Sequence, residues 1–146
     1  FAGDGMYAFW GSPIEQPDHS THAVRSGIRM MHKLEELRVG WAERGLPFVD
    51  IGIGINCGLA IVGNLGSAKR FDFTAIGDCV NAAARLEGLN KEHKTHILIS
   101  ELVQKQLPSD IITRFVADVI VKGKTVPLKV FEVTEENWKK LATKPV

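Results

Sequence analysis

Two periods of apolar residues run along this chain, and the switches between them divide it into elements. Between His19 and Arg44, the residues Ala23, Gly27, Met30, Leu34, Leu37 and Trp41 recur at spacings of four and three. Arg25, Arg29, Lys33, Glu36 and Arg44 fall mostly off that stripe, so the pattern predicts one long helix packed on a sheet. Asp18 or Ser20 stands where a cap belongs, and Gly45 with Pro47 stops the helix. The period then drops to two. Val49, Ile51, Ile53 and Ile55 alternate with Asp50, Gly52, Gly54 and Asn56, which predicts a half-buried strand.

Further elements follow from shorter signals. Asn56-Cys57-Gly58 is a turn, and Ala60-Ile61-Val62 reads as the next strand. A basic-aromatic loop leads to Asp78, which can cap a helix that Gly88 ends. Ile97-Leu98-Ile99 is a strand, and Ser100 with Val103 and Leu107 gives a short helix broken by Pro108. Arg114 to Val121 and Pro127 to Val133 read as strands joined around Gly123. At the other end, Gly3-Asp4-Gly5 is turn chemistry, and Met6 to Trp10 is a short apolar strand ended by Gly11-Ser12-Pro13. The polar residues at the C-terminus read as a frayed tail, which divides the chain into a domain, 1–137, and a tail, 138–146. Strands alternating with helices and closing on a terminal hairpin predict an α+β sandwich. Gly52-x-Gly54 lacks the third glycine and helix start of a dinucleotide-binding turn.

Composition narrows the function classes. A chain of 146 residues with 45% hydrophobic content supports one domain with a real core. Its net charge of +1, without a basic run, gives no footprint for duplex nucleic acid, so any phosphate binding must be local. Cys57 and Cys79 form no C-x-x-C pair and read as small buried thiols of a reducing cytosol. The longest uncharged run, Ile51 to Ala68, contains five glycines and two asparagines, which argues against a membrane span. The expected location is cytoplasmic, with room for a membrane-tethered parent and an upstream regulatory domain.

The chemistry concentrates between Gly58 and Glu87. Asn81 and Arg85 are the strongly polar pair in the middle of an alanine-rich helix, four residues apart and so on one face. An amide and a guanidinium presented together suit a ribose and a phosphate. Asp4, flanked by glycines, offers a hard oxygen to Mg²⁺ or Mn²⁺, although Gly-Asp-Gly alone is most often simply a turn.

These motifs resemble, in order and over nearly the whole chain, a class III adenylate/guanylate cyclase catalytic domain of the threonine subclass found in bacteria. Phe1 to Pro13 resembles the hairpin that carries the second of two metal aspartates. Asn56 to Gly66 resembles the strand pair after the long helix, Arg70 to Glu87 the family's signature, and Val121-Lys-Gly-Lys with Val130-Phe-Glu-Val its C-terminal hairpin. The resemblance implies an α+β, ferredoxin-like nucleotidyl cyclase fold, with helices on a mostly antiparallel sheet and with its first strand and helix upstream of Phe1. It implies conversion of ATP to 3′,5′-cyclic AMP and pyrophosphate.

Roles carry over residue by residue. Asp4 matches a metal aspartate, for two Mg²⁺ or Mn²⁺ per site, whose companion aspartate lies upstream. Asn81 matches the residue that orients the ribose, and Arg85 the arginine that stabilises charge on the α-phosphate. Lys122 matches the lysine on the terminal phosphates, and Arg70 or Lys69 a further phosphate contact. Thr74 occupies the base-selection position, where a hydroxyl accepts from the adenine amino group or donates to a ring nitrogen. The implied partner is a second copy, in a head-to-tail homodimer with shared sites. Guanylate cyclase, and a silent cyclase-like dimerisation or regulatory module, stand as the alternatives. So do ordinary local roles, such as an Arg85 salt bridge to Asp78 or Glu87.

Overall fold

The computed structural model describes residues 3–67 and 70–140, and within them every side chain except those of 67 and 70–72. Its elements are α1 (His19–Glu43), β1 (Ile53–Ile55), β2 (Ile61–Ser67), β3 (Arg70–Ile76), α2 (Asp78–His93), β4 (Ile97–Ser100), α3 (Glu101–Gln104), β5 (Thr113–Val119), β6 (Leu128–Val133) and α4 (Glu136–Lys139). Four strands form one mixed sheet in the order β1-β4-β6-β5. β1 runs parallel to β4, with Ile53 opposite Ile97, while β6 is antiparallel to both β4 and β5. β2 and β3 form a separate antiparallel hairpin in which Gly63 faces Thr74.

The sheet is a partition between two apolar layers, as alternation along a strand requires. Ile97 and Ile99 pack with Val24, Ile28, Met31 and Leu34 of α1 on one face. Leu98, between them, packs with Leu86 and Leu89 of α2 and with Val130 on the other. This is the α+β sandwich that the sequence predicts.

α2 lies unusually close to β1. A Cβ at Gly54 would sit 2.2 Å from the Ala83 carbonyl oxygen and 2.3 Å from the Glu87 nitrogen. Asn90, 3% exposed, ties the same two elements together: its side-chain amide donates to the Ile53 carbonyl at 3.0 Å and to the Glu87 carbonyl at 3.1 Å. The Thr95 hydroxyl completes the set by donating to Asn90 Oδ1 at 2.8 Å.

Several elements depart from expectation. The buried face of α1 is Ser20, Ala23, Val24, Gly27, Ile28, Met31 and Leu34, whereas Met30 and Leu37 are exposed. Contact with Ile53 and Ile97 sets that face, rather than the widest run of apolar spacings. Asp18 makes no side-chain cap and pairs instead with His22, 2.9 Å away. Ser20 lies inside the helix and donates to Gln106 Oε1.

α2 continues through Gly88 to His93, because Leu89 and Asn90 bury against the sheet beyond the glycine and outweigh its helix cost of about 1 kcal/mol. It ends instead at Lys94, in the left-handed region at φ 55°. Its N-terminal flank is Gly77, and Asp78 forms no side-chain cap. The basic-aromatic loop is in fact strand β3, paired with a β2 longer than the predicted three residues.

Met6 to Trp10 is not a strand. Among the described residues this segment finds no ladder to join, so its apolar side chains Met6 and Tyr7 stay half exposed. At the other end, Trp138 on α4 is 1% exposed and joins the α1 layer, its indole N–H donating to Glu35 at 3.0 Å. Residues 141–146 lie outside the described residues.

Candidate active site

The packing of α2 decides which of its residues face outward. Ala82, Leu86 and Leu89 are buried, so the face carrying Asp78, Asn81 and Arg85, at spacings of three and four, is turned away from the sheet. These three side chains line one wall of an open cleft of about 570 Å³. The opposite wall is the connection between β5 and β6, contributing Ile120, Val121, Lys122 and Lys124. That connection is a tight turn: the Lys124 N–H donates to the Val121 carbonyl at 3.0 Å, and Gly123 takes φ 85°. The cleft also holds the start of α2. Gly77 enters the helix at φ 144°, and its carbonyl accepts from the amides of Val80 and Asn81, both at 3.1 Å. The positive end of the helix macrodipole therefore lies at the cleft.

The cleft thus holds three cations, Arg85, Lys122 and Lys124, and one carboxylate, Asp78. Among the described residues Arg85 forms no ion pair, and neither Asp78 nor Glu87 reaches it. Asn81, Lys122 and Lys124 likewise form no side-chain hydrogen bond or ion pair among the described residues. An amide, a guanidinium and two ammonium groups held in one concavity, with one carboxylate against three positive charges, suit an anionic ligand that also has hydroxyl groups.

The structure therefore brings together Asn81, Arg85 and Lys122. It does not bring Thr74 or Asp4 to the cleft lining. Thr74 is half-buried on β3, four residues ahead of α2. Arg70 lies on β3 opposite Ser67, with its side chain outside the described set, and Lys69 falls outside the described residues altogether. Asp4 is exposed in the turn after Gly3, which takes φ 62°. Asp78 and Lys124 are cleft residues that sequence reasoning assigned to no site. The second lysine of Lys122-Gly123-Lys124 was the available signal, since a glycine reversal returns the chain to the same mouth.

Cys79 lies in the first turn of α2. Burial pushes its thiol up from the ordinary cysteine range, the neighbouring Cys57 adds to that, and the Lys124 ammonium opposes it.

The described residues do not by themselves hold a divalent metal. Asp4 stands alone, and no group of three or more His, Cys, Asp or Glu converges among them. One carboxylate supplies too few of the oxygens that Mg²⁺ requires.

The model of the adenylate and guanylate cyclase catalytic domain matches residues 1–135. This chain belongs to that family. Adenylate cyclase 1 of Rhizobium meliloti (strain 1021) is 35% identical over 133 residues, covering 91% of this chain and 20% of the relative. An adenylate cyclase of Anabaena cylindrica is 37% identical over 118 residues, covering 76% of this chain and 24% of the relative. The chain therefore spans about a fifth to a quarter of the length of these curated relatives. The crystal structure of the adenylyl cyclase CyaB from P. aeruginosa superposes with TM-score 0.76 at 33% identity, over 86% of this chain and 64% of that one. A guanylyl cyclase crystal structure follows at TM-score 0.71 and 31% identity, over 85% and 62%.

The fold is accordingly the nucleotidyl cyclase fold. Class III cyclase domains bind a nucleotide, are generally dimeric and generally depend on Mg²⁺ or Mn²⁺. No helix among the described residues is long and apolar enough to cross a membrane.

Proposed function

We propose that this cyclase domain converts ATP to 3′,5′-cyclic AMP and pyrophosphate. The observation that carries the reading is the convergence of Asn81, Arg85 and Lys122 on one cleft from two elements that are distant in sequence. In the reaction, the ribose 3′-oxygen forms a bond to the α-phosphorus and gives up its proton to solvent water. The bond from that phosphorus to the bridging oxygen breaks, and pyrophosphate leaves with the electron pair. Asn81 holds the ribose so that the 3′-oxygen lies in line with the leaving group. Arg85, one helical turn on, places a planar fork of donors on the α-phosphate oxygens, where charge grows in the transition state. Lys122 holds the terminal phosphates, and Arg70 adds a phosphate contact. Thr74 meets the base. Asp4 contributes to the metal site of the assembled enzyme.

The active form we propose is a head-to-tail homodimer. Asp4 stands apart from the cleft lined by Asn81 and Arg85 of its own chain, as expected where the halves of one site come from two subunits. The reading places the domain in the cytoplasm, and the catalytic unit, expected over 1–137, takes in Trp138 as well, since its indole packs in the α1 layer.

The guanylate reading has its own support in the similarity to a guanylyl cyclase structure and in a Thr74 hydroxyl able both to accept and to donate. Incubating the intact protein with ATP or GTP and Mn²⁺ separates the readings. Cyclic AMP as the main product is the expected result. A preference for GTP would reassign the base, and no cyclic nucleotide from either, with the protein folded and dimeric, would make it a silent module.

A further inference from the structure

Lys124 is the cleft cation that the scheme above leaves without a role. It emerges from the same turn as Lys122, two residues on. Between them Gly123, at φ 85°, reverses the chain, and both lysines line the cleft. Its backbone is fixed by the hydrogen bond to Val121, and its ammonium has no partner among the described residues. Lys124 and Asp78, the first residue of α2, line the same cleft, so the turn faces the start of that helix.

Charge gives the site its meaning. Asp78 offsets one of the cations that face it, so Arg85 and Lys122 alone leave the cleft weakly positive. A nucleoside triphosphate brings several negative charges, most of them on the two terminal phosphates. The two turn lysines line the cleft together, on the wall across from Asn81 and Arg85. Two mobile point charges from one turn suit an end that must be gripped in substrate and released as product, where a rigid fork would bind too selectively.

We propose that Lys124 is a second cationic contact for the terminal phosphates of the substrate, and for the pyrophosphate product, acting beside Lys122. The inference rests on the reading of the cleft as a nucleotide site. Lys124 binds ground state and transition state alike, so its loss raises KM and leaves kcat nearly unchanged.

Inorganic tripolyphosphate is the probe, because it carries the anionic end without base or ribose. Calorimetric titration of the intact protein is repeated for Lys124→Gln, Lys124→Arg and Lys122→Gln. Lys124→Gln is expected to weaken tripolyphosphate binding about tenfold, the loss of one charge-assisted contact. Lys124→Arg should recover most of it, and the KM for ATP in Lys124→Gln should rise by a similar factor with kcat within about twofold. The exposed turn position keeps the fold out of the comparison, and far-ultraviolet circular dichroism checks that it does. Unchanged binding in Lys124→Gln alongside weakened binding in Lys122→Gln overturns the role of Lys124 and spares the site. Unchanged binding in both overturns the nucleotide reading of the cleft, and the inference falls with it.

Discussion

The Cβ that Gly54 lacks would stand 2.2 Å from the carbonyl oxygen of Ala83. Real Cβ atoms do not approach backbone oxygen so closely, so the strand and the helix meet at a distance that only glycine permits. The helix concerned carries Asn81 and Arg85, which gives a backbone contact in the core direct control over the cleft. Gly54→Ala should therefore act on both stability and activity. Overpacking against backbone cannot be relieved by a rotamer change, so a loss of about 3 kcal/mol or more is expected. Urea denaturation followed by circular dichroism measures it. A variant within about 0.5 kcal/mol of the parent would show that α2 is free to move off β1.

Arg85 should separate binding from chemistry. Its contact strengthens as charge builds on the α-phosphate, so Arg85→Ala is expected to lower kcat on the order of 10²-fold or more, with a much smaller rise in KM. The guanidinium makes no ion pair among the described residues, so its removal leaves no buried partner stranded and stability should hardly change. Steady-state kinetics on the folded, dimeric variant gives the answer. Unchanged turnover would remove Arg85 from the site.

What the sequence revealed, and what it hid, follows from the range of the interactions involved. The long helix, β4, the β5–β6 hairpin and the pairing of Asn81 with Arg85 were legible because each is written in local spacing. The exact face of α1 was not: Met31 is buried and Met30 exposed because Ile53 and Ile97, distant in sequence, choose the stripe. Gly88 misled for the same reason, since Leu89 and Asn90 gain more from the sheet than the glycine loses. β3 hid behind its basic and aromatic residues, which read as a loop until β2 is seen pairing along its length. Trp138 looked like the edge of a tail, yet its indole fills the α1 layer and bonds Glu35. In the cleft, Lys124 went unread because proximity across a turn depends on the sign of one φ angle, that of Gly123.

Cys79 offers a chemical check on the start of α2. Burial raises its thiol above the ordinary range, so the folded state keeps its proton where the unfolded chain has lost it. Between the unfolded and folded values the unfolded state binds fewer protons, so stability falls as pH rises through that window and is unaffected below it. Because the thiolate is the nucleophile, Cys79 should react with iodoacetamide at pH 8 several-fold more slowly than a free cysteine. Mass spectrometry of timed digests measures the rate. Lys124→Gln removes the ammonium that opposes the shift, so alkylation of Cys79 should become slower still. An unchanged rate in that variant would place Lys124 away from the helix start.

The composite site makes the most demanding prediction. Asp4 lies on an exposed turn apart from the cleft that gathers Asn81 and Arg85, so one chain does not present both halves in one place. If opposite subunits supply them, Asp4→Ala and Asn81→Ala homodimers lack a working half in both of their sites, and each should be nearly inactive. A heterodimer of the two variants has one site carrying both defects and one carrying neither. Random mixing makes heterodimers half of the dimers, each with one intact site of two. Activity should therefore recover to about a quarter of the parent's in the mixture and to about half in the isolated heterodimer. The measurement is cyclic nucleotide production after co-refolding or co-expression with two different affinity tags, with the doubly tagged species isolated in sequence. If the purified heterodimer stays as inactive as its parents, Asp4 and Asn81 serve the same subunit's site and the head-to-tail arrangement is wrong.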